Sequence, residues 1–278
     1  MATGTKPVAS GTAQEPSHAV ATAGVGGSLA LPASVLAELA AAAKEDAAKE
    51  RPSVSKFSLQ SGVLSYGGNP MPENKTEGVI LVAAYRNAWY KDRFNKDKIK
   101  NPNCFALQED DKDMAPHENV AEPESDVCST CSKNEWGSDP NGGRGKACKQ
   151  SRRLVLLPGS AVDGGAEAVK TAELGVLDLP VTSVKNYSQF VNTLAASAGV
   201  PIWATITQIK VVPDAKTQFK VLFQAMRIAP GVDILDALKS RRDEALRIAL
   251  TPYEALPSEE EEAAAEASRS VGKKPAKF

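Results

Sequence analysis

The polar stretch 87–152 constrains the fold of this chain more than any other feature. It carries all four cysteines and is too polar to assemble an apolar core. The core must therefore come from short apolar runs on either side of it. Residues 78–86 (GVILVAAYR) read as a buried strand. A second strand is expected over 153–158, before Pro158 and Gly159, and a third over 173–179, stopped by Pro180. Residues 183–198 fit a helix: Ser183 suits an N-cap, Val184, Tyr187, Val191, Leu194 and Ala198 form one stripe, and Gly199 closes it. Two further strands, 204–212 and 217–228, form a hairpin pattern, and an amphipathic helix is expected over 233–250.

The order is strand, long insertion, strand, strand, helix, strand, strand. It predicts a mainly β, α+β chain: a five-stranded OB-type barrel, with the insertion between its first two strands and a helix at the C-terminal end. A plain antiparallel α+β sandwich is the alternative. The domains expected are a flexible region 1–52 with a weak helix at 32–50, a core 53–257 containing the insertion 87–152, and a disordered charged tail 258–278.

Cys128 and Cys131 form a C-x2-C pair, with Cys148 and Cys104 on either side. Thiolates favour tetrahedral zinc, and four of them make a closed structural site that would order the insertion. Zn(2+) held by Cys104, Cys128, Cys131 and Cys148 is thus expected. His117 is the competitor for the place of Cys104, which could instead be a buried core thiol.

A net charge of −1 hides alternating blocks. Residues 86–100 hold six Lys/Arg against two Asp, 142–153 hold five and no acid, and 109–126 hold eight acids against one Lys. Aromatics are scarce at 5%, yet Trp89, Tyr90 and Phe94 interleave with Lys91 and Arg93. Trp136 precedes a second basic run of Arg144, Lys146, Lys149, Arg152 and Arg153. Cations that track phosphates and rings that stack on bases suit single-stranded nucleic acid. A solvated basic face and rings that fill a core are the plain alternatives.

No enzymatic constellation stands out. There are two histidines, and GGRGKAC lacks the P-loop frame. The tail carries Glu259, Glu260, Glu261 and Glu262 and ends in Phe278, a pattern suited to docking a protein partner. No apolar stretch is long enough to cross a membrane, and no secretory signal is evident, so a non-secreted, cytoplasmic protein is expected.

The runs Cys128-Ser-Thr-Cys131, Trp136-Gly-Ser138, Gly143-Arg-Gly-Lys-Ala-Cys148 and Arg152-Arg-Leu154, with Asn101-Pro-Asn-Cys104-Phe105 upstream, resemble single-stranded DNA-binding proteins of tailed bacteriophages. The resemblance spans roughly residues 55–230, and only its cysteine module is specific. It implies an OB fold, residence in the cytoplasm of an infected bacterium, and a role in DNA replication and recombination. It also implies an acidic tail that recruits polymerase, helicase or primase, although here Phe278 follows Lys273, Lys274 and Lys277. The function expected is coating and protecting single-stranded DNA with little sequence preference. The alternative is a zinc-stabilised structural or transcription-associated interaction protein.

Overall fold

In a computed structural model, the chain divides into two units, Met1–Pro52 and Ser53–Phe278. The described residues are 55–92, 101–140 and 142–253, with four helical positions between 35 and 42. Arg93, Phe94 and the tail residues Glu259 to Glu262 and Phe278 lie outside them.

Within the second unit, the apolar runs flanking the polar stretch become strands of one sheet. Its strands are β1 (Ser55–Ser58), β2 (Ser65–Tyr66), β3 (Asn69–Pro70), β4 (Lys75–Trp89), β5 (Cys104–Gln108), β6 (Lys149–Pro158), β7 (Gly175–Leu179), β8 (Thr205–Asp214) and β9 (Gln218–Ile228). The helices are α1 (Gly159–Asp163), α2 (Ala166–Thr171), α3 (Val181–Ala198), α4 (Val232–Ser240) and α5 (Arg242–Ala249). The lateral order is β3-β2-β1-β7-β6-β4-β8-β9, with β5 also paired to β4.

β4 is the spine. It pairs antiparallel with β5 and β6 along its C-terminal part and with β8 along its N-terminal part. Alternation along the strands sends side chains to two separate cores. Leu154, Leu156, Leu177 and Leu179 pack with Ile80 and with Tyr187, Val184 and Val191 of α3. Val155, Leu157 and Val176 pack with Val79 and with the apolar residues of α1, α2, α4 and α5. The alternation breaks once. Ile80 opposes Leu156 and Val82 opposes Val155, so Leu81 is an extra residue, and Leu81 and Val82 both enter the second core. This β-bulge sets which face receives every later residue of β4.

These observations correct the expected fold. The element order of strand, insertion, two strands, helix and hairpin is present, but it does not close into a five-stranded OB barrel. The outer edge of β7 is taken by β1 in parallel, with Lys56 opposite Val176, and β3 and β9 end the sheet as separate edges. The sheet is large and open because residues 55–70, read only as the start of the core, supply three more strands. The final helix is two helices, broken at Arg241.

Ser183 is not the cap of α3, which begins at Val181 behind Pro180. Its hydroxyl is fully buried and accepts the Val221 N–H at 2.9 Å, while Asn186 Nδ2 donates to the Val221 carbonyl at 3.0 Å. Two polar side chains of α3 thus satisfy the outward-facing backbone of β9. Replacing Ser183 with Ala leaves a buried N–H without an acceptor, which costs about 1–3 kcal/mol. Urea denaturation of Ser183→Ala should show a lowered midpoint with an unchanged slope.

Candidate binding cleft

The two cores end before the strands do. Past Ala83 and Leu154, the face of β4 and β6 that α3 covers continues as Tyr85 and Asn87 opposite Arg152 and Gln150. These four form part of the lining of a cleft of about 440 Å³, with Val184 and Lys185 of α3 on one side and Asp111, Cys128 and Asn134 of the insertion on the other.

Arg152 and Tyr85 are direct cross-strand neighbours, and the guanidinium carbon stands 3.3 Å from the ring centroid. Stacking fixes the guanidinium plane and leaves its N–H edge available. Arg152 donates to the Ser151 carbonyl at 3.0 Å, and no ion pair to it is found among the described residues.

Its sequence neighbour behaves oppositely. Arg153 points to the other face and binds Asp178 at 3.0 Å and the Thr251 carbonyl at 2.7 Å. Arg86, on that same face, binds the other oxygen of Asp178 at 3.0 Å and the Tyr253 hydroxyl at 2.7 Å. Burial pushes the Tyr253 phenol up to about 12, against the pull of Arg86. Arg153 therefore straps residues 251–253 to the sheet and is not an open phosphate contact.

The other expected contacts are scattered. Lys146 Nζ donates to Asn134 Oδ1 at 3.0 Å and Gln150 Oε1 at 3.1 Å, both cleft residues, and sits 5.1 Å from the ring of Trp136. Trp136 is 79% exposed. Lys149 pairs with Asp139 at 2.6 Å, and Arg144 is exposed. Trp89 carries Lys133 over its ring at 4.8 Å and borders a different cavity. Tyr90 and Lys91 are exposed at the end of β4, where the Lys91 N–H donates to Asn103. No single groove gathers all these residues. Tyr85, Asn87, Gln150 and Lys185 were not singled out from sequence; Tyr85 sat inside a run read only as a buried strand.

The cysteines need the largest correction. Cys104, Cys128, Cys131 and Cys148 border one cavity of about 20 Å³, but among the described residues no group of three or more His, Cys, Asp or Glu is placed to hold a metal ion. The expected zinc site is overturned. His117 is no substitute, since it stacks on Phe105 at 5.1 Å and its Nδ1 accepts the Asn119 N–H at 3.1 Å.

All four cysteines are free thiols. Burial pushes Cys104 and Cys128 up, and Cys148 up to about 12. Neutral thiols pack as small apolar groups. The insertion is ordered by other means: β5 pairs with β4, the Cys148 N–H donates to the Lys133 carbonyl at 2.8 Å, the Gly137 N–H to the Gly145 carbonyl at 2.9 Å, and Asn134 Nδ2 to the Cys128 carbonyl at 2.7 Å.

With neither a closed barrel nor a metal cluster among the described residues, the resemblance to phage single-stranded DNA-binding proteins is not supported. The associated descriptors fall with it: DNA coating in replication and recombination, the zinc-stabilised interaction module, OB-fold and metal binding. Among the described residues no helix is long and apolar enough to cross a membrane. No family model matches the chain, and no curated protein or solved structure is significantly similar to it.

The thiol environment gives a pH prediction. A thiol whose folded pKa lies above its unfolded value favours the folded state fully at pH below the unfolded value, near 9 for Cys148. That contribution is lost as pH rises towards about 12. Stability measured by urea should therefore fall across this window, and the fall should be smaller in Cys148→Ala. Alkylation of Cys148 in the folded protein at pH 8 should be at least about tenfold slower than in the unfolded chain.

Proposed function

We propose that the protein is a non-enzymatic binding protein whose cleft beside α3 holds a phosphate-bearing ligand. The observation that carries this reading is Arg152, which lies in the cleft lining, stacked on Tyr85, with no carboxylate partner among the described residues. A guanidinium held in plane presents a two-pronged donor that matches a phosphate oxygen pair. Lys185 adds a second cation, and Asn87, Asn134 and Gln150 add side-chain amides. Lys146 supports two of those amides. Asp111 is the one carboxylate among the described lining residues; its charge opposes the entry of an anion and sets a limit on affinity. A cleft of about 440 Å³ suits a phosphate together with a modest organic group.

A phosphate can arrive on a small molecule or on a polynucleotide strand, and single-stranded DNA is the partner of the second kind expected from sequence. Calorimetric titration with pyrophosphate, a mononucleotide and a single-stranded oligonucleotide, each at low and high salt, separates these sources. At least one should bind at low salt and weaken at high salt. Arg152→Ala should weaken that binding about tenfold or more, as expected for loss of a charge-assisted contact. Its unfolding midpoint should fall only slightly, because no ion pair to Arg152 is found among the described residues and the stack on Tyr85 is worth about 1 kcal/mol. Absence of binding by all three ligands at low salt, or an unchanged affinity in Arg152→Ala, would overturn the reading.

A further inference from the structure

The floor of the cleft is two rows of cross-strand neighbours, Tyr85 with Arg152 and Asn87 with Gln150. The second row lies two residues further along both strands, on the same face and about 7 Å from the first. The first row holds the open cation. The second holds two amides, and each is oriented by its other contacts.

Lys146 Nζ meets the Gln150 amide at 3.1 Å. An ammonium only donates, so the Gln150 atom facing it is the oxygen. The Gln150 N–H groups are thereby turned away from Lys146, and no acceptor for them is found among the described residues. Asn87 is set the opposite way. Its Nδ2 donates to Met114 Sδ at 3.3 Å, and the same amide hydrogen-bonds the Cys128 side chain. A thioether only accepts, so the Asn87 atom facing it is the nitrogen. No donor to the Asn87 oxygen is found among the described residues, although the residue is only 4% exposed. A nearly buried amide oxygen is costly to leave unmet. The second row thus presents an uncommitted donor beside an uncommitted acceptor, with Cβ atoms about 5 Å apart.

We infer that the ligand of the cleft is a nucleotide, its phosphate on Arg152 and its base read by Gln150 and Asn87, an assignment that rests on the phosphate reading of the same site. A donor beside an acceptor is matched by a group that presents an acceptor beside a donor. Nucleobase edges do this; adenine offers N7 beside its N6 amino group, a pair that Asn and Gln side chains bind. Inorganic phosphate and pyrophosphate offer mainly acceptors and leave the Asn87 oxygen unmet. Sugar hydroxyls both donate and accept, but they rotate freely and gain less from two amides already held in place. The spacing of the rows leaves room for a sugar between phosphate and base, and a cleft of about 440 Å³ holds all three parts. Lys146 is then a positioning residue. It acts on the base through Gln150 and does not touch the phosphate.

The test is calorimetry on the full chain at low salt, with ribose 5-phosphate and the four ribonucleoside monophosphates as probes. At least one monophosphate should bind about tenfold or more tighter than ribose 5-phosphate, as expected for two added hydrogen bonds. Gln150→Leu should remove that gain and leave ribose 5-phosphate within about threefold of its parent affinity, which also shows that the cleft is intact. Arg152→Ala should weaken both kinds of probe. The same nucleotide unit occurs free and within a strand. An oligonucleotide of the tightest-binding base distinguishes the two: about tenfold tighter binding than the monophosphate marks a strand, and equal or weaker binding marks the free nucleotide. Ribose 5-phosphate that binds through Arg152, with no gain from any base, overturns the nucleotide assignment and leaves the phosphate reading standing. A gain that Gln150→Leu leaves unchanged also overturns it, because the base is then held elsewhere. Absence of binding by every probe removes both.

Discussion

The structure depends on the double-sided hydrogen bonding of β4. One strand carries β8 on one edge and β6 on the other, and its far end also holds β5. A strand bonded on both edges cannot slide, since a shift by one residue would exchange its faces against both neighbours. That rigidity lets a single strand serve two cores, and it lets the polar insertion be ordered from its root. β5 attaches the insertion directly to β4, and Cys104, Cys128, Cys131 and Cys148 border one small cavity beside that attachment.

The opposed fates of Arg152 and Arg153 follow from the same geometry. Adjacent residues on a strand face opposite sides. On one side Asp178 is shared by Arg86 and Arg153, and Tyr253 completes a cluster that fastens the end of the described chain. Removing Asp178 would leave two guanidiniums facing each other with only neutral acceptors. On the other side no carboxylate among the described residues meets Arg152, and its charge is left to the cleft. One basic dipeptide thus splits into a structural cation and an open one.

Much of the core was legible in the sequence. The runs 78–86 and 153–158 lie within β4 and β6, and the stripe of 183–198 ends at Gly199, which takes the left-handed conformation expected of it. What was not legible lacks a local signal. β2 and β3 are two residues each, and β5 shows only Phe105, Ala106 and Leu107 inside a polar stretch. Closure of a sheet is decided by which edge reaches which, and here β1 arrives first at β7. The C-x2-C spacing suggested a metal, but spacing does not fix where sulfurs point. The basic blocks were visible as charge, but neither the stacking of Arg152 on Tyr85 nor the strapping role of Arg153 could be read without knowing what lay across the sheet.

The bulge at Leu81 gives this fold an unusual relation to length change. Between Ile80 and Tyr85 the strand carries one more residue than β6 offers partners for, and the surplus is taken up as Leu81. Loss of a single codon there, with pairing kept, would remove the surplus and leave Val82 opposite Val155, with Tyr85 and Asn87 still opposite Arg152 and Gln150 on the cleft side, because paired residues share a face. One added residue has no such outlet: it needs a second irregularity or turns Tyr85 away from the cleft. In descendants of this chain, a one-residue deletion between Ile80 and Tyr85 should therefore leave the cleft floor in place, whereas a one-residue insertion should not.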